Sequence, residues 1–167
     1  MSHFLRLLIL ALASGFFVSY VPYRVVPFKK WKGGGLIGSL MGVCLILFLP
    51  ALTLPVLGLV TAVLISCAVS VSHVAEKLMG NHDDPRIIID EVAGMWIAAL
   101  GIPHHPMGIV GSFILFRFFD VAKFRWGHSV SRWPGGWGIV ADDVAAGIAA
   151  NIVLRVILAL AGVSHGA

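Results

Sequence analysis

The chain has 167 residues, 59% of them hydrophobic and 12% charged, with a mean hydropathy of +0.96. A soluble domain carries about 25% charged residues, so the composition points away from a water-soluble globule and towards a membrane protein. The formal charge of +4 sits in short loops between apolar runs, which excludes a nucleic-acid footprint.

Residues Phe4 to Val21 form the first apolar run. Arg6 and the Ala11-Leu12-Ala13 stretch resemble parts of a signal peptide. The run continues through Phe16, Phe17 and Val18, however, so a retained helix is the expectation. Pro22 and Pro27 close it, and Arg24, Lys29, Lys30 and Lys32 follow as a basic loop. That loop runs into Gly33-Gly34-Gly35-Leu36-Ile37-Gly38-Ser39. Glycines before a helix leave N–H groups free to face an anion. They equally suit a small-residue helix contact, and spacing alone favours the contact.

The second run, Leu36 to Leu49, is short for a span of about 20 residues. The third, Val56 to about Met79, is long enough to cross, and ends in a solvated tail with His73, Glu76 and Lys77. Gly80 to Pro85 is a break, with Asp83 reading as a loop end. The fourth run starts near Arg86, ends before Pro103 and is again short, which suits a helix buried inside a bundle. His104 and His105 fall in the next turn and read as interfacial. The fifth run, Met107 to about Phe124, carries Arg117, Asp120 and Lys123. The sixth, Gly138 to about Ala161, opens with Asp142 and Asp143; Arg155 further along either snorkels or pairs internally. Cys44 and Cys67 lie inside apolar runs and read as small core residues, with no CxxC or HExxH spacing in the chain.

All eight prolines stand at boundaries of these six segments, as expected of residues that break helix interiors. The expected fold is therefore all-α: a polytopic membrane bundle of about six segments, two of them short, forming one domain over residues 1–167. The loops with Arg24, Lys29, Lys30, Lys32, Lys77, Arg86, Lys123, Arg125 and Arg132 alternate with turns near 50–55 and 102–106 that hold no Lys or Arg. The positive-inside rule puts the charged loops in the cytoplasm and both termini outside.

Eight acidic residues are present, and four stand in Asp83-Asp84-Pro85-Arg86-Ile87-Ile88-Ile89-Asp90-Glu91. Charge beside hydrocarbon is costly and marks function or pairing. Asp84, the Asp90–Glu91 pair, Asp120 and the Asp142–Asp143 pair all fall on the cytoplasmic side of the topology. Gly94 and Gly147 follow the two pairs by one helical turn, leaving room for a ligand or a neighbouring helix. Two carboxylates about 4 Å apart repel by roughly 4 kcal/mol at an effective dielectric of about 20. Such a cluster needs protons, cations or basic partners, and oxygen-rich sites suit Mg²⁺ or Mn²⁺. A divalent ion held there polarises a phosphoryl oxygen, and nearby Arg and Lys hold phosphate. Two structural alternatives stand beside this: the acid pairs could complement helix dipoles, and Asp120 could simply pair with Arg117 or Lys123. At this level a carboxylate-lined transporter of divalent cations or protons also remains open.

Four segments, spread over residues 35–147, then carry a resemblance. Asp84-Pro85-Arg86-Ile87-Ile88-Ile89-Asp90-Glu91-Val92-Ala93-Gly94 resembles the DPxxIVxDExxG signature of bacterial phosphatidylglycerophosphatase A. Gly35-Leu36-Ile37-Gly38-Ser39-Leu40 is similar to that family's GTxGSL element, with Leu36 where the family has Thr. Phe116-Arg117-Phe118-Phe119-Asp120-Val121-Ala122-Lys123 resembles its FRxxDxxK segment, although Phe124-Arg125-Trp126 stands where Pro-x-Pro is usual. Gly135-Gly136-Trp137-Gly138-Ile139-Val140-Ala141-Asp142-Asp143-Val144-Ala145-Ala146-Gly147 resembles GGxGIMxDDxxAG.

The resemblance implies a Mg²⁺-dependent phosphatase of the bacterial inner membrane that converts phosphatidylglycerophosphate to phosphatidylglycerol and phosphate on the cytoplasmic side. It also implies one central helix ringed by others, for which the fourth run is the candidate. Asp84, Asp90, Glu91, Asp142 and Asp143 would be catalytic, with Asp90, Glu91, Asp120, Asp142 and Asp143 as metal ligands. Gly35, Gly38, Ser39, Arg117 and Lys123 would bind the anionic lipid substrate.

Overall fold

A computed structural model describes residues 1–21, 34–49, 52–81, 84–103, 105–126 and 135–162, with side chains of 123–126 outside the description. The loop bases Arg24, Lys29, Lys30, Lys32 and Arg132, with His82, Asp83 and His104, therefore lie outside it, as does the side chain of Arg125 at the end of the fifth run. Six helices and no strand occur among the described residues: α1 (His3–Ala13), α2 (Gly34–Phe48), α3 (Leu54–Met79), α4 (Ile89–Ala99), α5 (Pro106–Trp126) and α6 (Gly136–Leu160).

Local signals account for most of the ends. The Ser2 hydroxyl accepts the Leu5 N–H at 3.3 Å to cap α1. Pro55 stands in the first turn of α3, and Gly80, at φ 75°, ends it in the left-handed conformation that glycine tolerates. The fourth segment does not begin its helix at Arg86. Residues 84–88 form a turn instead, closed by Ile87 N–H on the Asp84 carbonyl at 2.9 Å, and helix begins at Ile89.

The first apolar run departs from expectation. Its helix stops at Ala13, because Gly15, Phe16 and Phe17 take φ values of 59°, 55° and 66° in the left-handed region. Ser14 makes the break tolerable: its hydroxyl donates to the Leu10 carbonyl at 2.6 Å and accepts from the Phe17 N–H at 3.0 Å. Eleven helical residues reach only about 16 Å, so α1 is a third short helix beside α2 and α4.

Helix α4 is the centre of the packing. Nine of its eleven residues are buried, and it contacts α2, α3, α5 and α6. Two glycine faces allow these close approaches. A Cβ at Gly38 would come within 2.8 Å of the Glu91 Cβ, and one at Gly42 within 2.7 Å of the Met95 Cβ, so α2 lies directly on α4. On the other side Gly94 and Gly147 meet, and a Cβ on Gly147 would collide with the Gly94 carbonyl. Trp96 is anchored to α3 by its indole N–H donating to Thr61 Oγ1 at 2.9 Å.

The far end of α4 is closed by one residue pair. Asn151 Nδ2 donates to the carbonyls of Ile97, Ala98 and Leu100 at 3.2, 3.0 and 2.9 Å. Arg155 donates to Asn151 Oδ1 and to the Leu100 carbonyl, both at 2.7 Å. The arginine thus pairs internally. The outer surface is apolar, with Leu54, Leu59, Met107, Phe118 and Leu160 well exposed. Helices α3 and α6 are long and apolar enough to cross a membrane. Cys44 and Cys67 are free and lie on this exposed surface, not in the core as expected. An apolar run reports the medium around a helix, and a thiol suits the outer face of such a run as well as the inner.

Candidate active site

The acids gather at the N-terminal end of α4. Asp90 and Glu91 occupy its first turn, where unpaired N–H groups and the helix dipole favour negative charge. Asp143 comes from the second turn of α6. Register explains the meeting: Asp90 precedes Gly94 by four residues and Asp143 precedes Gly147 by four. Where the two glycines cross, the two acids one turn back are brought together. The room those glycines leave is therefore filled by the neighbouring helix, and Phe116 covers Gly94 from α5.

One carboxylate oxygen from each of Asp90, Glu91 and Asp143 lies within 4.8 Å of the other two. Asp90 and Asp143 are buried, and although Glu91 is half-buried, its Oε2 is buried with no hydrogen-bond partner among the described residues. Three hard oxygen donors this close, one of them unsatisfied, fit a small divalent cation. Their mutual repulsion calls for compensation by protons, cations or basic partners.

A cationic arm stands beside them. Arg117 on α5 donates through Nη1 to Asp120 Oδ2 at 2.6 Å and to Ser39 Oγ at 3.3 Å. Ser39 is fully buried on α2 and donates its own proton to the Gly35 carbonyl at 2.7 Å. A Cβ on Gly35 would stand 3.0 Å from both Arg117 Nη1 and Glu91 Oε1. The bare Cα of Gly35 therefore faces the guanidinium and the acid group together. Gly38 lies against Glu91 and Ile88, so its part is to let α2 approach.

The remaining expected site residues are distributed differently. Asp84 is not in the group of three. Its carboxylate takes a two-pronged bond from Arg86, Nε to Oδ1 at 2.7 Å and Nη2 to Oδ2 at 2.6 Å, together with the Arg86 N–H at 3.0 Å and Asn81 at 3.3 Å. Burial pushes this carboxyl up, but the Arg86 side-chain and backbone bonds, the Asn81 bond and the guanidinium charge outweigh it and hold it below its ordinary value. Asp120 pairs with Arg117, the structural alternative weighed for it. Asp142 is half-buried next to Asp143 and outside the group. The side chain of Lys123 lies outside the described residues.

Sequence reasoning passed over Gly42, although a glycine every four residues from 34 to 42 marks one helix face. It gave Arg86 no role beyond loop charge, and did not foresee its partner Ser19, whose hydroxyl donates to the Arg86 carbonyl from 67 residues away. No local pattern signals that contact.

With this geometry in view, a family model described as Phosphatidylglycerophosphatase A matches residues 11–158. The chain is 36% identical over 125 residues to a phosphatidylglycerophosphatase A of Haemophilus influenzae, covering 72% of this chain and 74% of the relative. It is 32% identical over 120 residues to the Escherichia coli protein of that name, covering 68% and 67%. It is also 30% identical over 135 residues to a Bacteroides thetaiotaomicron protein bearing the name "Putative phosphatidylinositol-3-phosphatase", covering 78% and 84%. No solved structure matches.

Proposed function

The chain belongs to the phosphatidylglycerophosphatase A family, and on that premise we propose that it hydrolyses the terminal phosphomonoester of phosphatidylglycerophosphate at the Asp90–Glu91–Asp143 centre. Water enters, the terminal P–O bond breaks, and phosphatidylglycerol and inorganic phosphate leave. The transporter alternative is set aside, because family membership is that of a phosphatase and the three grouped acids gather at one end of α4 instead of lining a path along it.

The observation that carries the reading is the buried three-carboxylate group with its unsatisfied Glu91 oxygen. Asp90, Glu91 and Asp143 would hold the divalent cation, for which Mg²⁺ is our proposal and Mn²⁺ a substitute. When bound, such an ion supplies Lewis-acid polarisation of a phosphoryl oxygen. Arg117 holds the substrate phosphate, oriented by Asp120 and Ser39. Gly35 admits the phosphate, since any side chain there would occupy the space between Arg117 and Glu91. Asp142, half-buried beside the group, is our candidate for taking the proton of the attacking water. Lys123 is a second proposed phosphate ligand, one helical turn beyond Asp120.

We read residues 1–167 as a single integral-membrane domain, multi-pass in the inner membrane, with the site on the cytoplasmic side. Support comes from the two long apolar helices, the exposed apolar surface and the segregation of Lys and Arg into alternate loops. The Bacteroides relative favours one second reading, in which the lipid phosphomonoester is carried on inositol.

Purified protein given phosphatidylglycerophosphate or phosphatidylinositol 3-phosphate, with Mg²⁺ or with EDTA, separates these readings. The expected result is phosphate release from the first lipid only, abolished by EDTA and restored by added cation. Release from neither lipid sinks the proposal.

A further inference from the structure

Residues 13–20 and 84–88 form a clasp that the chemistry above does not use. After α1 stops at Ala13, three successive left-handed residues turn the chain back, two of them phenylalanines. Such backbone persists in bulky residues only where neighbouring bonds over-determine it, and it gathers at functional positions. Here Ser14 supplies those bonds, with Phe16 N–H donating to the Ala11 carbonyl at 2.6 Å.

The turn grips the chain leading into α4. Ser19 Oγ donates to the Arg86 carbonyl at 2.7 Å, and the Arg86 guanidinium carbon lies 5.5 Å from the centre of the Tyr20 ring. Ile88 N–H donates to the Ala13 carbonyl at 2.8 Å, and the Ile88 carbonyl accepts from Val92 N–H at 3.1 Å as the first turn of α4. Arg86 closes the clasp through its fork on Asp84. One residue is thus held by its carbonyl, its N–H and its guanidinium, four positions before Asp90.

We propose that Arg86 is a positioning residue for the phosphatase reaction. Through Ser19 and Asp84 it fixes the start and rotation of α4, so that Asp90 and Glu91 meet Asp143; this rests on the reading of those three acids as the catalytic centre. Asp84 then acts through Arg86, not as a cation ligand. Partners one layer behind a metal site commonly change activity or affinity by about 10–100-fold when removed. Arginine is suited to the role because its planar fork spans both oxygens of one carboxylate while its face lies over a ring, which a lysine cannot reproduce.

The test uses the full chain in detergent micelles, with Arg86→Gln, Arg86→Lys, Ser19→Ala and Ser19→Thr. Three quantities are read: kcat and KM on phosphatidylglycerophosphate, the affinity for Mn²⁺ alone by its paramagnetic resonance, and amide exchange over residues 87–92. Both Arg86 variants should lower kcat about 10–100-fold with KM little changed, weaken Mn²⁺ binding and speed exchange over 87–92. Ser19→Ala should do the same to a smaller degree, and Ser19→Thr, which keeps the hydroxyl, should restore all three. The proposal is overturned if Arg86→Gln leaves kcat and exchange unchanged, or if Arg86→Lys is near wild type while Arg86→Gln raises only KM, the mark of a phosphate ligand. Wild-type protein that releases no phosphate defeats the catalytic reading instead, and exchange over 87–92 then decides the clasp alone: faster in the variants upholds it, unchanged refutes it.

Discussion

The two ends of the eleven-residue α4 treat charge in opposite ways. At the C-terminal end the protein supplies every partner itself. Asn151 and Arg155 reach three carbonyls, and the cation sits where the helix dipole favours it. At the N-terminal end acids also suit the dipole, but three are brought together, more than one dipole can offset, and a buried Glu91 oxygen is left over. One end is finished by the fold. The other, on the proposed reading, is completed by a cation, and the contrast separates residues that hold the helix from residues proposed to use it.

The largest expected break in that contrast comes from neutralising the acidic end. Glu91→Gln and Asp143→Asn should each lower kcat at least about 100-fold. Their melting temperature without divalent cation should stay level or rise, because a repulsion of roughly 4 kcal/mol per close pair is relieved. Activity assays beside thermal scans check this; variants that melt earlier and remain active would make this end resemble the other.

The opposite pattern is expected at the capped end. Asn151→Leu strands several carbonyls and should cost about 2–3 kcal/mol of stability, while kcat of the folded fraction is retained. Denaturation curves paired with turnover decide it, and a fall in turnover at unchanged stability would erase the division between the ends.

A smaller effect sharpens the acidic end. Asp120→Asn frees Arg117 from one charge-assisted bond, so KM should rise about tenfold with a lesser change in kcat. Steady-state kinetics measure the split; a loss of cation affinity instead would return Asp120 to the ligand set.

The smallest effect concerns pH. The Asp84 carboxyl is held below its ordinary value of 3.8 in the folded chain. Its contribution is therefore fully present above that value and lost as pH falls through the depressed one. Melting temperatures of the wild type should drop over that acidic window more steeply than those of Asp84→Asn; parallel curves would remove Asp84 from the clasp.

What could be read in the sequence differs by residue. Asp90, Glu91 and Asp143 were legible because charge inside apolar runs is rare, while the spacing to Gly94 and Gly147 left room for a ligand or a neighbouring helix without deciding between them. The partition of the acids was not legible: Asp84 and Asp90 look alike in the chain, and only the fold gives Asp84 an arginine fork. Arg117 with Asp120 was readable as a three-residue pair on one helix. The stop at Ala13 was hidden because Phe16 and Phe17 continue the apolar run, and hydropathy carries no information on the sign of φ. Ser19 and Arg86 meet through tertiary folding alone.

The shortness of α4 bears on how the protein is made. Eleven residues give about 16 Å of helix against roughly 30 Å of hydrocarbon, and such a piece has no stable life as a separate span. Its last carbonyls are satisfied by Asn151, between 51 and 54 positions later in the chain, and unsatisfied carbonyls in lipid are costly. On the proposed membrane reading, α4 waits at the membrane boundary during synthesis until α6 has emerged. The helix that carries the proposed site is then the last to be seated, and a nascent chain cut before residue 151 should hold α4 open to protease.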